Sequence, residues 1–363
     1  MTTGKQDAIA WLLQEGGPAI RYRTATELVD DDTGIDVERL AADLVASSMV
    51  QQWVARIREP GDMWRYHGSN PDALENACAK LCELGLRAGM LDEFDRRMAP
   101  YRRQLAGDPG SVWNPITGAC LTWAGFHDDV LLDWLQERLQ ALYELALAGS
   151  YDIYIDQDAY GDYPAAFRKR PLVDPQYNGR LVGIWDVYAM AHWPEGLASP
   201  EAQGQVDAVI AYILHPDYQA LDEGYGVMRA GPRRYYSIGW SVHLPGYGDA
   251  DFERPIHAAT FVQRVELMAR FSVARQSAWF EQSLAHLESY RTDRGTYRFP
   301  AAYLREQANG YWVSGAYMRL EDDRRRRQSL ELDSTFRMLK IKRLILDHDH
   351  APRQPRGADP DHS

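Results

Sequence analysis

The residues of this chain best equipped for chemistry lie between positions 151 and 256. Asp152, Asp156, Asp158 and Asp162 are interleaved with Tyr154 and Tyr160. In an extended segment, side chains two apart share a face, so Tyr154, Asp156, Asp158 and Tyr160 stand together. A carboxylate set among rings loses solvation, its pKa rises, and it can then donate a proton near neutral pH. Asp156 and Asp158 are therefore candidate catalytic acids. DQDAYG (156–161) opens like a calcium loop, but Tyr160 and Phe167 fall where oxygen ligands are required, which excludes that reading.

A second cluster is GPRRYYSIGWSVHLPGY (231–247). Its His243 is a candidate proton-transfer partner for the aspartates. Arg233, Tyr235, Tyr236 and Trp240 are candidate ligand-binding residues. Arginine beside tyrosine and histidine suits an acidic sugar and proton movement, and the rings can stack on sugars or wall an apolar cavity. A third group is Trp185, Tyr188 and His192. Helical spacing gives them one face, which either lines a cavity or belongs to the core; Trp185 and His192 join the ligand-binding candidates.

Other residues exclude chemistry. Cys78 and Cys82 lie one helical turn apart on an apolar stripe, and Cys120 stands alone, so the three cysteines have no metal spacing and cannot all pair. No metal and no cofactor are expected. A nucleophile elbow, a P-loop and a dinucleotide glycine fingerprint are all absent. Arg324 to Arg327 follow Glu321, Asp322 and Asp323, which reads as salt-bridged surface charge.

Helices must position these groups. Apolar periodicity predicts helices over 7–29 with a restart at Pro18, and over 36–58, 71–86 with Pro71 in its first turn, 91–105, 128–147, 181–193, 203–214 and 329–346. The stretch 257–290 is too long for one helix and should divide near 272–276. Within it Phe280, Leu284 and Leu287 share a face. Gly295 then permits a turn that returns Tyr297 and Phe299 against the helix end. The middle, 151–256, reads as long ordered loops, the kind of segment on which functional residues gather.

Similar punctuation recurs. A helical run followed by glycine and then an aromatic residue appears around Trp64, Trp113, Tyr163, Tyr225 and Tyr297. Such a unit cannot bury its own apolar face and needs stacked copies. With EPGDMW (59–64) and TDRGTYRF (292–299) as the nearest matches, this pattern resembles the repeats of the terpenoid cyclase and protein prenyltransferase superfamily. The resemblance implies an all-α chain folded as an α/α toroid, a ring of helical hairpins around a central cavity, with long loop insertions in the middle. It implies a single domain over 1–346; the remaining 347–363, rich in Pro, Asp and His, reads from its composition as a disordered tail. The Asp-x-Asp-Asp motif of the cyclases is missing, and no cysteine has an aspartate two residues before it, as the zinc site of the prenyltransferases requires.

A net charge of −12 argues against nucleic-acid partners. No apolar run is long enough for stable membrane insertion, and no signal-peptide core is present, so a cytoplasmic protein is expected. The reading is a protein that binds or transforms a small molecule, apolar or sugar-like, in an aromatic-lined central cavity. The alternatives are a carbohydrate-active lyase or hydrolase on a similar ring, and a non-enzymatic binding scaffold.

Overall fold

The computed structural model describes residues 3–30, 34–108, 110–193 and 199–349. The protein is mostly helical. Its first half contains α1 (Thr3–Glu15), α2 (Pro18–Glu27), α3 (Val37–Ala46), α4 (Ser48–Val54), the one-turn α5 (Met63–Tyr66), α6 (Leu74–Leu84), α7 (Asp92–Gly107), α8 (Asn114–Ala124) and α9 (Asp129–Ala148). The second half contains α10 (Ile184–Ala191), α11 (Pro200–Leu214), α12 (Pro216–Gln219), α13 (Pro255–Ala258), α14 (Phe261–Met268), α15 (Ser272–Arg275), α16 (Ala278–Glu288) and α17 (Ser329–Asp349). No described helix is long and apolar enough to cross a membrane.

The helix boundaries follow local chemistry. Pro18 opens α2 and Pro200 opens α11, each at a position where no backbone N–H is needed. Asp36, Asp128 and Ser277 accept a backbone N–H from inside the helices they precede. Gly85 ends α6 in the left-handed region at φ 102°. A β-carbon there would meet the Arg23 side chain at 2.9 Å, so the glycine also lets α2 approach the end of α6.

Six helices, α2, α6, α8, α10, α14 and α17, carry most of the packing relevant below. Neighbouring contacts run α2 to α6, α6 to α8, α8 to α10, α10 to α14, and α14 to α17, and α17 returns to α2. α1 also touches α17, so the two ends of the chain meet. Their junction is specific. Glu321 accepts the Gly17 N–H at 2.6 Å, and Arg326 and Gln328 reach Glu15.

The middle of the chain departs from the expectation of loops. It forms a four-stranded sheet of β1 (Tyr154–Ile155), β2 (Leu172–Val173), β3 (Gly226–Gly231) and β4 (Arg234–Ile238) in that order. β1 with β2 and β3 with β4 are antiparallel, and β2 with β3 is parallel. Strands of two to six residues are too short to display a period, which is why the sequence hides them. The turn after α16 matches its sequence reading. Tyr297 and Phe299 are buried, with their N–H groups donating to Thr335 and Ser334 of α17. Residues 350–363, the greater part of the expected tail, lie outside the described residues.

Candidate functional site

A cavity of about 630 Å³ opens where the C-terminal ends of α6, α10 and α14 face α2 and α17. Helical spacing brings its walls together. α2 supplies Tyr22, Thr26 and Glu27, Gly85 and Arg87 follow α6, Arg270 lies just beyond α14, and Lys340 and Arg343 stand along α17. Glu83, Glu266 and Arg337 line a much smaller recess that shares His192, Arg270 and Lys340 with it.

Beneath the cavity lies a buried ionic network. Arg337 bridges Glu83 and Glu266, each at 2.7 Å, and donates to the Met318 carbonyl at 3.0 Å. Lys340 contacts Glu266 at 2.6 Å and Glu27 at 3.3 Å. Arg23 pairs with Glu27 at 2.6 Å and lies 3.6 Å from Glu83. Burial opposes the charge on Glu266, but Lys340, Arg337 and Arg23 outweigh it and hold the carboxyl well below its usual range. The same balance raises Arg337, where Glu83 and Glu266 overcome desolvation. Lys340 falls below its ordinary value, first through burial and then through Arg23.

The network is electrically closed, with Arg23, Arg337 and Lys340 opposing Glu27, Glu83 and Glu266. Arg87 and Arg270 add to it two positive charges without carboxylate partners. Arg87 donates to the carbonyls of Cys82 and Leu86, at 2.9 and 2.8 Å. Among the described residues, Arg270 reaches the Ala191 carbonyl alone, at 3.4 Å. Among the described residues no carboxylate lies within ion-pair distance of either. Both are half-buried and line the cavity. At the rim, Arg343 pairs with Asp30 at 2.8 Å.

His192 forms part of the wall. Its Nδ1 lies 2.9 Å from the Tyr188 carbonyl and its ring stacks on Trp123, with centroids 4.9 Å apart. Burial, and next the charge on Arg270, hold this imidazole well below its ordinary 6.5, so it is neutral at physiological pH. Behind it, Trp312 packs 5.1 Å from Trp123, 4.8 Å from Tyr188 and 5.7 Å from Trp185. Trp185 and Trp312 are fully buried. The rings expected to wall a cavity therefore fill the interior against one another, and the open space beside them is bounded by charge.

The other sequence candidates are dispersed. Asp156 and Asp158 are exposed, and the Asp156 carboxylate accepts the Asp158 N–H at 2.9 Å. Neither has the desolvation on which a proton-donor role rested, because the segment turns into a 3-10 helix after two extended residues. His243 contacts Ser241 and the Leu221 carbonyl, at 2.9 and 3.0 Å, and not the aspartates; burial lowers its pKa. Arg233 sits at the β3–β4 turn with φ 56°, and its N–H donates to Asp162. Tyr235 also donates to Asp162, at 2.7 Å, and Tyr236 to Asn178, at 2.9 Å. These contacts tie the hairpin to the preceding loop and do not converge on a cavity. Trp240 lies elsewhere, against His67 and Trp113. Of the nine candidates, His192 is the one that lines the open cavity.

The residues that sequence reasoning missed are Arg87, Arg270, Lys340 and their network. A signal was present: Glu83, Glu266, Arg337 and Lys340 interrupt apolar helical faces at core spacing. Charge in such positions is seldom fully buried unless paired. The chain matches no known family model, no curated protein and no solved structure.

Proposed function

We propose that the protein binds an anionic small molecule in the cavity between α2, α6, α14 and α17. The observation that carries this reading is the surplus of two guanidinium groups, Arg87 and Arg270, over an otherwise balanced buried network. Arginine presents donors in a planar fork that suits carboxylate, phosphate or sulfate oxygens. A chain of net charge −12 that gathers unpaired cations in one recess departs from its own average there. The volume of about 630 Å³ is that of a small-molecule site.

The same reading keeps the ring of helical hairpins expected from the resemblance to terpenoid cyclases and prenyltransferases. Support comes from the succession of helix contacts that starts and ends at α2. Of the two ligand chemistries first considered, the charged lining favours a polar anion over an apolar molecule.

Thermal unfolding at low salt tests the proposal. Sulfate, inorganic phosphate and succinate should each raise the melting temperature by a few degrees when in large excess over their Kd, whereas maltose and decanol should not. Equal shifts with the neutral compounds, or no saturable shift with any anion, would remove the basis for this function.

A further inference from the structure

A second cluster lies apart from the charged cavity, among the segments that precede α6 and α8. His67 caps α5, and its Nδ1 lies 2.6 Å from Oε1 of Glu75 in the first turn of α6. This is an ion-pair contact and not an aligned hydrogen bond. Glu75 is fully buried; the same oxygen accepts the Gly68 N–H at 2.8 Å, and Oε2, near the Trp185 indole, has no aligned hydrogen bond among the described residues. Burial raises the Glu75 carboxyl, and His67 draws it back down. Among the described residues, Glu75 is the charged group within ion-pair distance of His67.

The imidazole is held on several sides. Tyr311 stacks 4.9 Å away, Trp113 lies near-parallel at 6.4 Å, and Trp240 meets it edge-on at 5.3 Å. Asn76 fixes the surrounding loops, donating to the carbonyls of Gly68 and Asn70 and accepting the Trp312 N–H. The side chain is still 26% exposed, and among the described residues Nε2 has no hydrogen bond or ion pair. On the segments that carry His67 and its neighbour Trp113, the apolar side chains Met63, Trp64 and Val112 are 44%, 59% and 60% exposed. Trp64 borders Gly68, where an added β-carbon would lie 3.7 Å from the indole.

We propose that His67, oriented by Glu75, is a general base for the hydrolysis of small esters whose apolar group rests on Trp64. An imidazole with one nitrogen on a buried carboxylate and the other open is the arrangement that takes a proton from an attacking group. Nε2 accepts a proton from water. The oxygen adds to the acyl carbon, and the tetrahedral adduct expels the alkoxide. The alkoxide recovers the proton from the imidazolium, giving one carboxylic acid and one alcohol. Glu75 keeps its charge and supports the imidazolium through the cycle. Trp64, Met63 and Val112 supply the apolar contact that selects an ester with a short aliphatic chain.

The test is hydrolysis of p-nitrophenyl butyrate by the full chain. Saturable turnover is expected. His67→Gln should reduce kcat/KM at least tenfold, while replacing the exposed His215 with Gln should leave it unchanged. Trp64→Ala should raise KM severalfold with kcat retained, and Glu75→Gln should shift the pH profile as well as the rate. If either dyad variant fails to fold, diethyl pyrocarbonate on the unaltered protein replaces it, with the modified histidine identified by mass spectrometry. Loss of turnover in step with His67 modification supports the proposal. Turnover in His67→Gln within twofold of the unaltered protein, turnover that survives His67 modification, or no saturable turnover at all, overturns it.

Discussion

At the scale of single residues, the surroundings of each charge decide what it does. Arg337 is fully buried between two carboxylates. Arg337→Met leaves Glu83 and Glu266 facing each other without it, and should cost about 3–5 kcal/mol in denaturant unfolding. Arg270, with one long carbonyl contact, should behave differently: Arg270→Gln should change stability by less than about 1 kcal/mol yet weaken anion binding. His192 adds a pH dependence whose sign is fixed. Its folded pKa lies below that of the unfolded chain, so unfolding takes up a proton and stability falls as pH drops below about 6.5. A bound anion favours the imidazolium, so binding should take up protons and tighten over the same window. Calorimetry of sulfate binding in buffers of different ionisation heat measures that uptake, and none would separate His192 from the site. Asp156 and Asp158 illustrate what sequence withholds here. Their alternation with tyrosines was visible, but whether the segment stayed extended was not.

At the scale of elements, helices were legible and their interruptions largely were too. Pro18 and the turn at Gly295 mark boundaries the structure keeps, because these residues act through local backbone sterics. The division of 257–290 fell finer than expected, into α13 to α16. The sheet was not legible, since its strand pairs join Leu172 to Val227 across more than fifty residues and no local pattern announces that. The charged site was legible in part. Glu266 and Lys340 stand out on apolar faces, but only the packing of α14 against α17 shows that they meet. Gly85 is where element and site join. Gly85→Ala would place a β-carbon 2.9 Å from Arg23 at φ 102°. It should destabilise by about 1–3 kcal/mol and loosen the cavity wall with it, measurable as a lower melting temperature and weaker sulfate binding.

At the scale of the molecule, the two ends of the chain are joined through a titrating group. Burial lifts Glu321 to about 7, and the Gly17 N–H opposes the lift. Its folded pKa exceeds the unfolded value, so its stabilising contribution is complete below about pH 4.5 and is lost as pH rises through about 7. Glu321→Gln keeps an acceptor for Gly17 and should remove that dependence, gaining about 2 kcal/mol at pH 8 relative to the unaltered protein; equal pH profiles would show that the junction does not titrate. The central claim is the surplus of positive charge in the cavity, and one measurement addresses it most directly. Sulfate is titrated calorimetrically at low salt into the unaltered protein and into a double variant, Arg87→Gln with Arg270→Gln. Each guanidinium contributes about one to two charge-assisted hydrogen bonds, so affinity should fall at least a hundredfold in the double variant while its melting temperature stays within a few degrees. Unchanged sulfate affinity in a folded double variant would contradict the account.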